Sequence, residues 1–145
     1  MRALLQRVSS ARVIVDSQIV GAIHRGILVF IGFGKTDHED KLDSMLRKIL
    51  ELRIFQDTQG KMNLSLQDIK GELLLVSQFT LYGNCSKGRR PGFDEALEPD
   101  AAAALFNILV LKARATGIPV ATGIFAAEMS IELWNEGPVT LMLEK

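Results

Sequence analysis

A Gly-Pro pair lies between two apolar runs near the end of the chain, Ile131 to Trp134 and Val139 to Leu143, and it restricts the sheet those runs can build. Proline supplies no amide donor, so a central strand does not accommodate it, and the pair belongs at an edge, a bend or a turn. Most such pairs are trans turns. Proline is also the residue whose preceding peptide bond takes the cis form cheaply, at about 0.5 to 1 kcal/mol. A cis Gly137-Pro138 bond would turn backbone carbonyls outward rigidly. Carbonyls held that way can judge a ligand by shape without touching its side chain.

The rest of the chain supplies the frame. From Leu4 to Val20 it favours extended structure with a turn at Asp16-Ser17-Gln18, a hairpin. Ile27 to Phe33 is a continuous apolar run of strand length, as in a strand buried on both faces. A helix follows. Thr36 or Asp37 is placed to cap it, Asp37, Glu39 and Asp40 suit the positive end of its dipole, and Leu42, Met45, Leu46, Ile49 and Leu50 form one stripe at helical spacing. Asp57 to Lys61 reads as a turn, Leu73 to Val76 as another buried strand, and Tyr82 to Pro99 as a long loop of the kind that often carries function. Pro99 and Asp100 open a second helix, with the stripe Ala102, Leu105, Phe106, Leu109, Val110 and Ala113, ending near Thr116-Gly117. Three extended stretches close the chain: Val120 to Phe125, Met129 to Trp134 and Val139 to Leu143. The order predicts a single α/β (mixed α+β) domain over residues 1–145, with a mostly antiparallel mixed sheet partly closed into a barrel and two covering helices.

Composition narrows the function classes. Lys+Arg and Asp+Glu both number 17, so no global field advertises nucleic acid or a membrane, and any polyanion must be met locally. The one cysteine, Cys85, excludes an internal disulfide framework, and with His24 and His38 it makes a poor metal set. No metal or cofactor is expected. The N-terminal residues lack the apolar core of a signal peptide, and no stretch reaches the roughly 18 apolar residues of a spanning helix. A soluble cytoplasmic protein is the expectation.

Several constellations fail on their spacing. Phe33-Gly34-Lys35-Thr36 follows a strand like a phosphate loop, but Val29 stands where that pattern needs its first glycine, so an ordinary strand-to-helix turn is favoured. Asn84-Cys85-Ser86-Lys87-Gly88 lacks the first glycine of a nucleophile elbow. Cys85 has basic neighbours but no cysteine partner and no histidine nearby in sequence. His24 and His38 read as surface groups, and Asp57, Glu128 and Glu136 are too scattered to form a carboxylate pair. What remains is Ser77-Gln78-Phe79-Thr80-Leu81-Tyr82, which follows a buried strand. Polar groups there face a ligand or cap their own strand end; Ser77, Gln78, Thr80 and nearby backbone amides can serve as oxyanion donors, water-positioning groups or a nucleophile.

Taken together, Ser77-Gln78-Phe79-Thr80-Leu81-Tyr82 and Asn135-Glu136-Gly137-Pro138-Val139-Thr140 resemble the two signature motifs of the D-aminoacyl-tRNA deacylase (D-tyrosyl-tRNA(Tyr) deacylase) family. The resemblance runs nearly end to end, through Gln6-Arg7-Val8, Arg53 to Asp57, Gly60 to Asn63, Arg90-Pro91-Gly92-Phe93 and Thr122-Gly123-Ile124-Phe125. The family often has Phe-Gly-Ala-Asp-Met where this chain has Phe125-Ala126-Ala127-Glu128-Met129, and Asp where it has Glu136.

The resemblance implies hydrolysis of the ester joining a D-amino acid to the 3′ end of tRNA, a chiral proofreading step that glycyl-tRNA would also enter. It implies a homodimer in which the cis Gly137-Pro138 pair of one subunit enters the pocket of the other and Arg7 tethers that pair. Ser77, Gln78, Phe79 and Thr80 become the catalytic segment, Thr80 as a positioning group ahead of a nucleophile. Phe125 and Met129 would hold the terminal adenosine. Lys87, Arg89 and Arg90 can meet tRNA phosphates or be a solvated loop. The rival readings are a noncatalytic aminoacyl-RNA binding module and a hydrolase of small D-amino acid esters.

Overall fold

The turn at Asp16-Ser17 joins β1 (Arg2–Val15) to β2 (Gln18–Ile23) in the computed structural model, which describes every residue except Lys87. Both turn residues take positive φ, 48° and 63°, the conformation that lets a two-residue loop follow the twist of its strands. β3 (Gly26–Gly32) pairs antiparallel with the first half of β1 and parallel with β6 (Glu72–Ser77), which pairs parallel with β7 (Val120–Thr122). Parallel neighbours need a crossover, and the helices α1 (Leu42–Glu51) and α2 (Pro99–Ala115) lie in those two connections. A short hairpin, β4 (Phe55–Gln56) and β5 (Met62–Leu64), sits apart from the main sheet. β8 (Ser130–Glu144) runs antiparallel along the remaining edge of β1. β2 comes round against β7, so the sheet is nearly closed; Gly21 permits this, because a side chain there would overlap the Thr122 carbonyl.

Strand alternation divides the apolar residues between two cores. Ile27, Val29, Ile31, Leu73 and Leu75 face the helices, whereas Leu28, Leu74 and Val76 join Val8, Ala11 and Val13 on the other face. The expected α1 stripe is buried in full, and the α2 stripe is buried except Leu105, which is half-buried. At ten residues α1 is too short to persist alone. Its five buried side chains, at about 1.5 to 3 kcal/mol each, make it stable against the sheet.

Three local expectations are corrected. Neither Thr36 nor Asp37 caps α1; a 3-10 turn, Glu39–Lys41, precedes the helix, and no side chain caps either. Asp37 is buried instead, accepting from the Gly34 N–H at 2.7 Å and pairing with the Met1 α-ammonium at 2.6 Å and Lys41 at 3.1 Å. The extended stretch from Val120 stops at Thr122, since the chain leaves the sheet there for a loop. Finally, the stretches on either side of the Gly-Pro pair are one strand, β8, interrupted by a bulge.

Candidate active site

The bulge is where the proline restriction resolves. Thr140 pairs with Gln6 and Asn135 with Val8, so Glu136, Gly137, Pro138 and Val139 all stand opposite the single residue Arg7. The Gly137–Pro138 peptide is cis. β8 has β1 as its sole strand partner among the described residues, so the missing proline amide breaks no second ladder. Arg7 fills the space beneath the bulge. Its guanidinium is buried and donates through Nε to the Glu136 carbonyl at 3.1 Å, through Nη2 to the Gly137 carbonyl at 3.3 Å, and through Nη1 to the Ile54 carbonyl. The Glu136 carboxylate lies 3.5 Å from Arg7 Nε and 3.8 Å from Arg25 Nε. A planar fork of donors suits three carbonyls from two chain segments in a way a lysine does not. Gly137 and Pro138 themselves are exposed.

The second group of residues meets at the end of β6. Gln78 donates its N–H to the Ile31 carbonyl at 2.7 Å, which docks the segment on β3, and Gly32 allows that approach because a side chain there would come within 2.7 Å of the Gln78 carbonyl. Phe79–Tyr82 then forms a single 3-10 turn. The first N–H groups of such a turn have no acceptor inside it. The Gln78 side-chain amide donates to the Thr80 hydroxyl oxygen.

A cleft of about 570 Å³ opens beside this turn, lined by Ser77, Gln78 and Phe79 on one side and by Phe125, Met129 and Phe93 on others. Phe79 and Phe93 meet edge to face, with ring centroids 5.0 Å apart. Ala126 holds φ at 60° in the loop that presents Phe125 and Met129, a conformation that costs alanine about 1 kcal/mol more than glycine. Thr80 borders the site through Gln78 and is not part of the cleft wall; Gly137, Pro138 and Arg7 are absent from the wall too. One chain therefore carries the expected site residues as two separate groups.

Arg89 and Arg90 are exposed on a loop pinched by the reciprocal backbone bonds of Asn84 and Gly92, next to Phe93; Lys87 lies outside the described residues. Cys85, His24 and His38 are exposed. Among the described residues no group of three His, Cys, Asp or Glu side chains stands together as a metal site, and no helix is long and apolar enough to cross a membrane.

The support behind the turn comes from contacts with no mark in the sequence pattern. Tyr82 donates its hydroxyl to Asp37 at 3.2 Å, and Gly34 makes room for its ring, while the Arg2 guanidinium lies 4.6 Å from the ring centre and donates to the Leu81 carbonyl at 2.9 Å. Burial alone would push the Asp37 carboxyl up, but its hydrogen bonds from the α-ammonium, Gly34 and Lys41 hold it below the usual carboxylate range. Burial and the charge on Asp37 push the Tyr82 phenol up to about 12. Because the chain has one tyrosine, phenolate absorbance follows this contact alone. The native protein should give one step near pH 12, and the unfolded chain one near 10.0. The folded state keeps the proton that the unfolded chain loses, so stability falls as pH rises through that interval. A native step at the ordinary tyrosine value would show that the contact with Asp37 is not made.

Comparison with known proteins identifies the family. The family model described as D-Tyr-tRNA(Tyr) deacylase matches residues 4–144. A curated D-aminoacyl-tRNA deacylase of Geotalea uraniireducens (strain Rf4) is 58% identical over 144 residues, covering 99% of this chain and 93% of the relative. Its counterpart in Clostridioides difficile (strain 630) is 55% identical over 144 residues, with 99% and 97% covered. A solved structure described as a c-Myc DNA unwinding element binding protein superposes with a TM-score of 0.93 at 39% identity, covering 100% of this chain and 99% of that one. These matches make the chain a hydrolase acting on ester bonds. More narrowly, the chain belongs to the D-Tyr-tRNA(Tyr) deacylase family.

Proposed function

We propose that this protein hydrolyses the ester of D-aminoacyl-tRNA, releasing free D-amino acid and intact tRNA, and so removes wrong-handed residues before translation uses them. The observation that carries the reading is the exposed Gly137-Pro138 bulge, whose carbonyls are held from beneath by Arg7. A wedge of main-chain atoms excludes an L side chain whatever its chemistry, leaves a D side chain free, and lets achiral glycine through, so glycyl-tRNA is a substrate as well.

The bulge does not reach its own cleft, which supports a homodimer in which each subunit inserts Gly137-Pro138 into the other's pocket. Exposed Trp134, Leu141 and Met142 along β8 are apolar surface of the kind that a partner covers. Within the cleft, Phe125 and Met129 hold the terminal adenine, and Phe79 offers a second ring. Arg89 and Arg90 reach toward the phosphates that follow. The acceptor is a water, placed by Gln78 and by the ribose hydroxyl beside the ester. As that water attacks, charge gathers on the carbonyl oxygen, and the N–H groups of Phe79 and Thr80 receive it. The ribose oxygen leaves with the proton that the attacking water gives up. Cofactors have no part in these steps, and the cytoplasm, where tRNA is charged, is the compartment in which they are useful.

In this scheme Thr80 positions Gln78, whose amide it accepts. Thr80→Val should lower kcat by about tenfold, the worth of one hydrogen bond, whereas loss of a nucleophile would remove a factor of about 10⁴ or more. Single-turnover deacylation distinguishes the two. The substrate class is tested by offering the purified protein D-tyrosyl-tRNA and the ethyl ester of D-tyrosine. Rapid release from tRNA alone supports the proposal. Equal rates on both would make it a small-ester hydrolase, and tight tRNA binding without release would make it a binding module.

A further inference from the structure

Asn135 stands at the neck of the bulge, and the mechanism above gives its side chain no work. Both hydrogens of its amide nitrogen are nevertheless used: Nδ2 donates to the Arg7 carbonyl at 3.0 Å and to the Val139 carbonyl at 3.1 Å. Carbonyls only accept, so the end of the amide that faces them must be its NH2. The residue that receives one bond closes the bulge, and the residue that receives the other lies opposite it. One side chain thus ties the start of the bulge to its end and to the strand it leaves. Glu136 to Val139 have no partners in the β1 ladder, and proline has no N–H to offer. The bulge is held by side chains: the Arg7 fork inside it, the Asn135 amide across its neck and, at its last residue, the buried Val139 side chain.

We propose that Asn135 is a positioning residue for handedness, the second clamp that keeps the Gly137 and Pro138 carbonyls from yielding to an L side chain. This rests on the deacylase reading. A steric filter discriminates only while it is stiffer than the ligand it rejects, and a displacement of about 1 Å at a reacting site costs on the order of 100-fold. Arg7 fixes the first half of the bulge through Glu136 and Gly137. Without Asn135, the main chain of the second half, Pro138 and Val139, accepts no side-chain hydrogen bond and is held only by the packing of Val139.

The test compares Asn135→Asp and Asn135→Ala with the wild type on the same tRNA charged with D- or L-tyrosine. Asp keeps the shape and loses both donors; Ala loses them without adding a charge, and it serves if the Asp variant does not fold. The expected result is a D-over-L ratio of kcat/KM lowered by about tenfold or more, in proportion to two lost hydrogen bonds, with release from L-tyrosyl-tRNA rising in absolute terms. A merely structural role predicts equal loss on both substrates, and an unchanged ratio in a folded variant overturns the proposal while wild-type deacylation stands. Failure of the wild type to release D-tyrosine overturns the deacylase reading, and this inference with it.

Discussion

Gly137→Ala should give a folded protein that has lost most of its deacylase activity. The reason lies in what surrounds the position. An added Cβ would meet only the Asn135 amide oxygen, at 3.6 Å, which is ordinary contact, and Gly137 is not in the left-handed region where alanine is strained. The isolated chain therefore tolerates the methyl, and its stability should change by less than about 1 kcal/mol. On the proposed account the methyl projects from the bulge into the neighbouring subunit's pocket, where the aminoacyl group must fit. Overpacking of that kind costs about 1 to 3 kcal/mol, so D-aminoacyl-tRNA turnover should fall by roughly 10- to 100-fold. Chemical denaturation and single-turnover kinetics on one preparation measure the two effects. Full activity in the alanine variant would place this surface away from the substrate.

Arg7→Lys should damage both quantities. The charge survives, but a single ammonium cannot reach the carbonyls of Ile54, Glu136 and Gly137 as the guanidinium does, and Ile54 is buried away from water. Hydrogen bonds from a charged donor are worth about 1.5 to 3 kcal/mol each, so the two that lysine cannot keep imply a loss of about 3 to 6 kcal/mol in unfolding free energy. With the inner clamp gone, deacylation of D-aminoacyl-tRNA should fall about 100-fold or more, and the fall should persist at temperatures where the variant is fully folded. Urea titration and kinetics at low temperature separate the two losses. Wild-type turnover in a destabilised variant would make Arg7 a residue of the fold alone.

Legibility followed the range of the interactions involved. The stripes of α1 and α2 and the buried runs of β3 and β6 were readable because helical and strand periodicity are local, and burial then enforced them. β8 was not readable as one strand, because Gly-Pro between apolar runs looks like a break. What bridges it, the Arg7 fork and the Asn135 amide, comes from the pairing with β1, more than 120 residues away in sequence. Asp37 misled for the same reason: it looked like a helix cap beside a run of acids, but Met1 and Tyr82 claim it from elsewhere in the chain. At the site, Ser77 to Tyr82 stood out as a polar run ending a buried strand. Arg7 and Phe125 could be assigned only through the family resemblance, since nothing in their own spacing marks them. The proposed meeting of bulge and cleft is not legible in one chain, whose cleft wall contains neither Gly137 nor Pro138.

The most direct measurement is the ratio of kcat/KM for one tRNA charged in turn with the D and the L form of the same amino acid. The account predicts release of the D residue at least about 100-fold faster, corresponding to roughly 2.7 kcal/mol of exclusion by the carbonyl wedge, and release of glycine from its own tRNA. Comparable rates for the two mirror forms would contradict it.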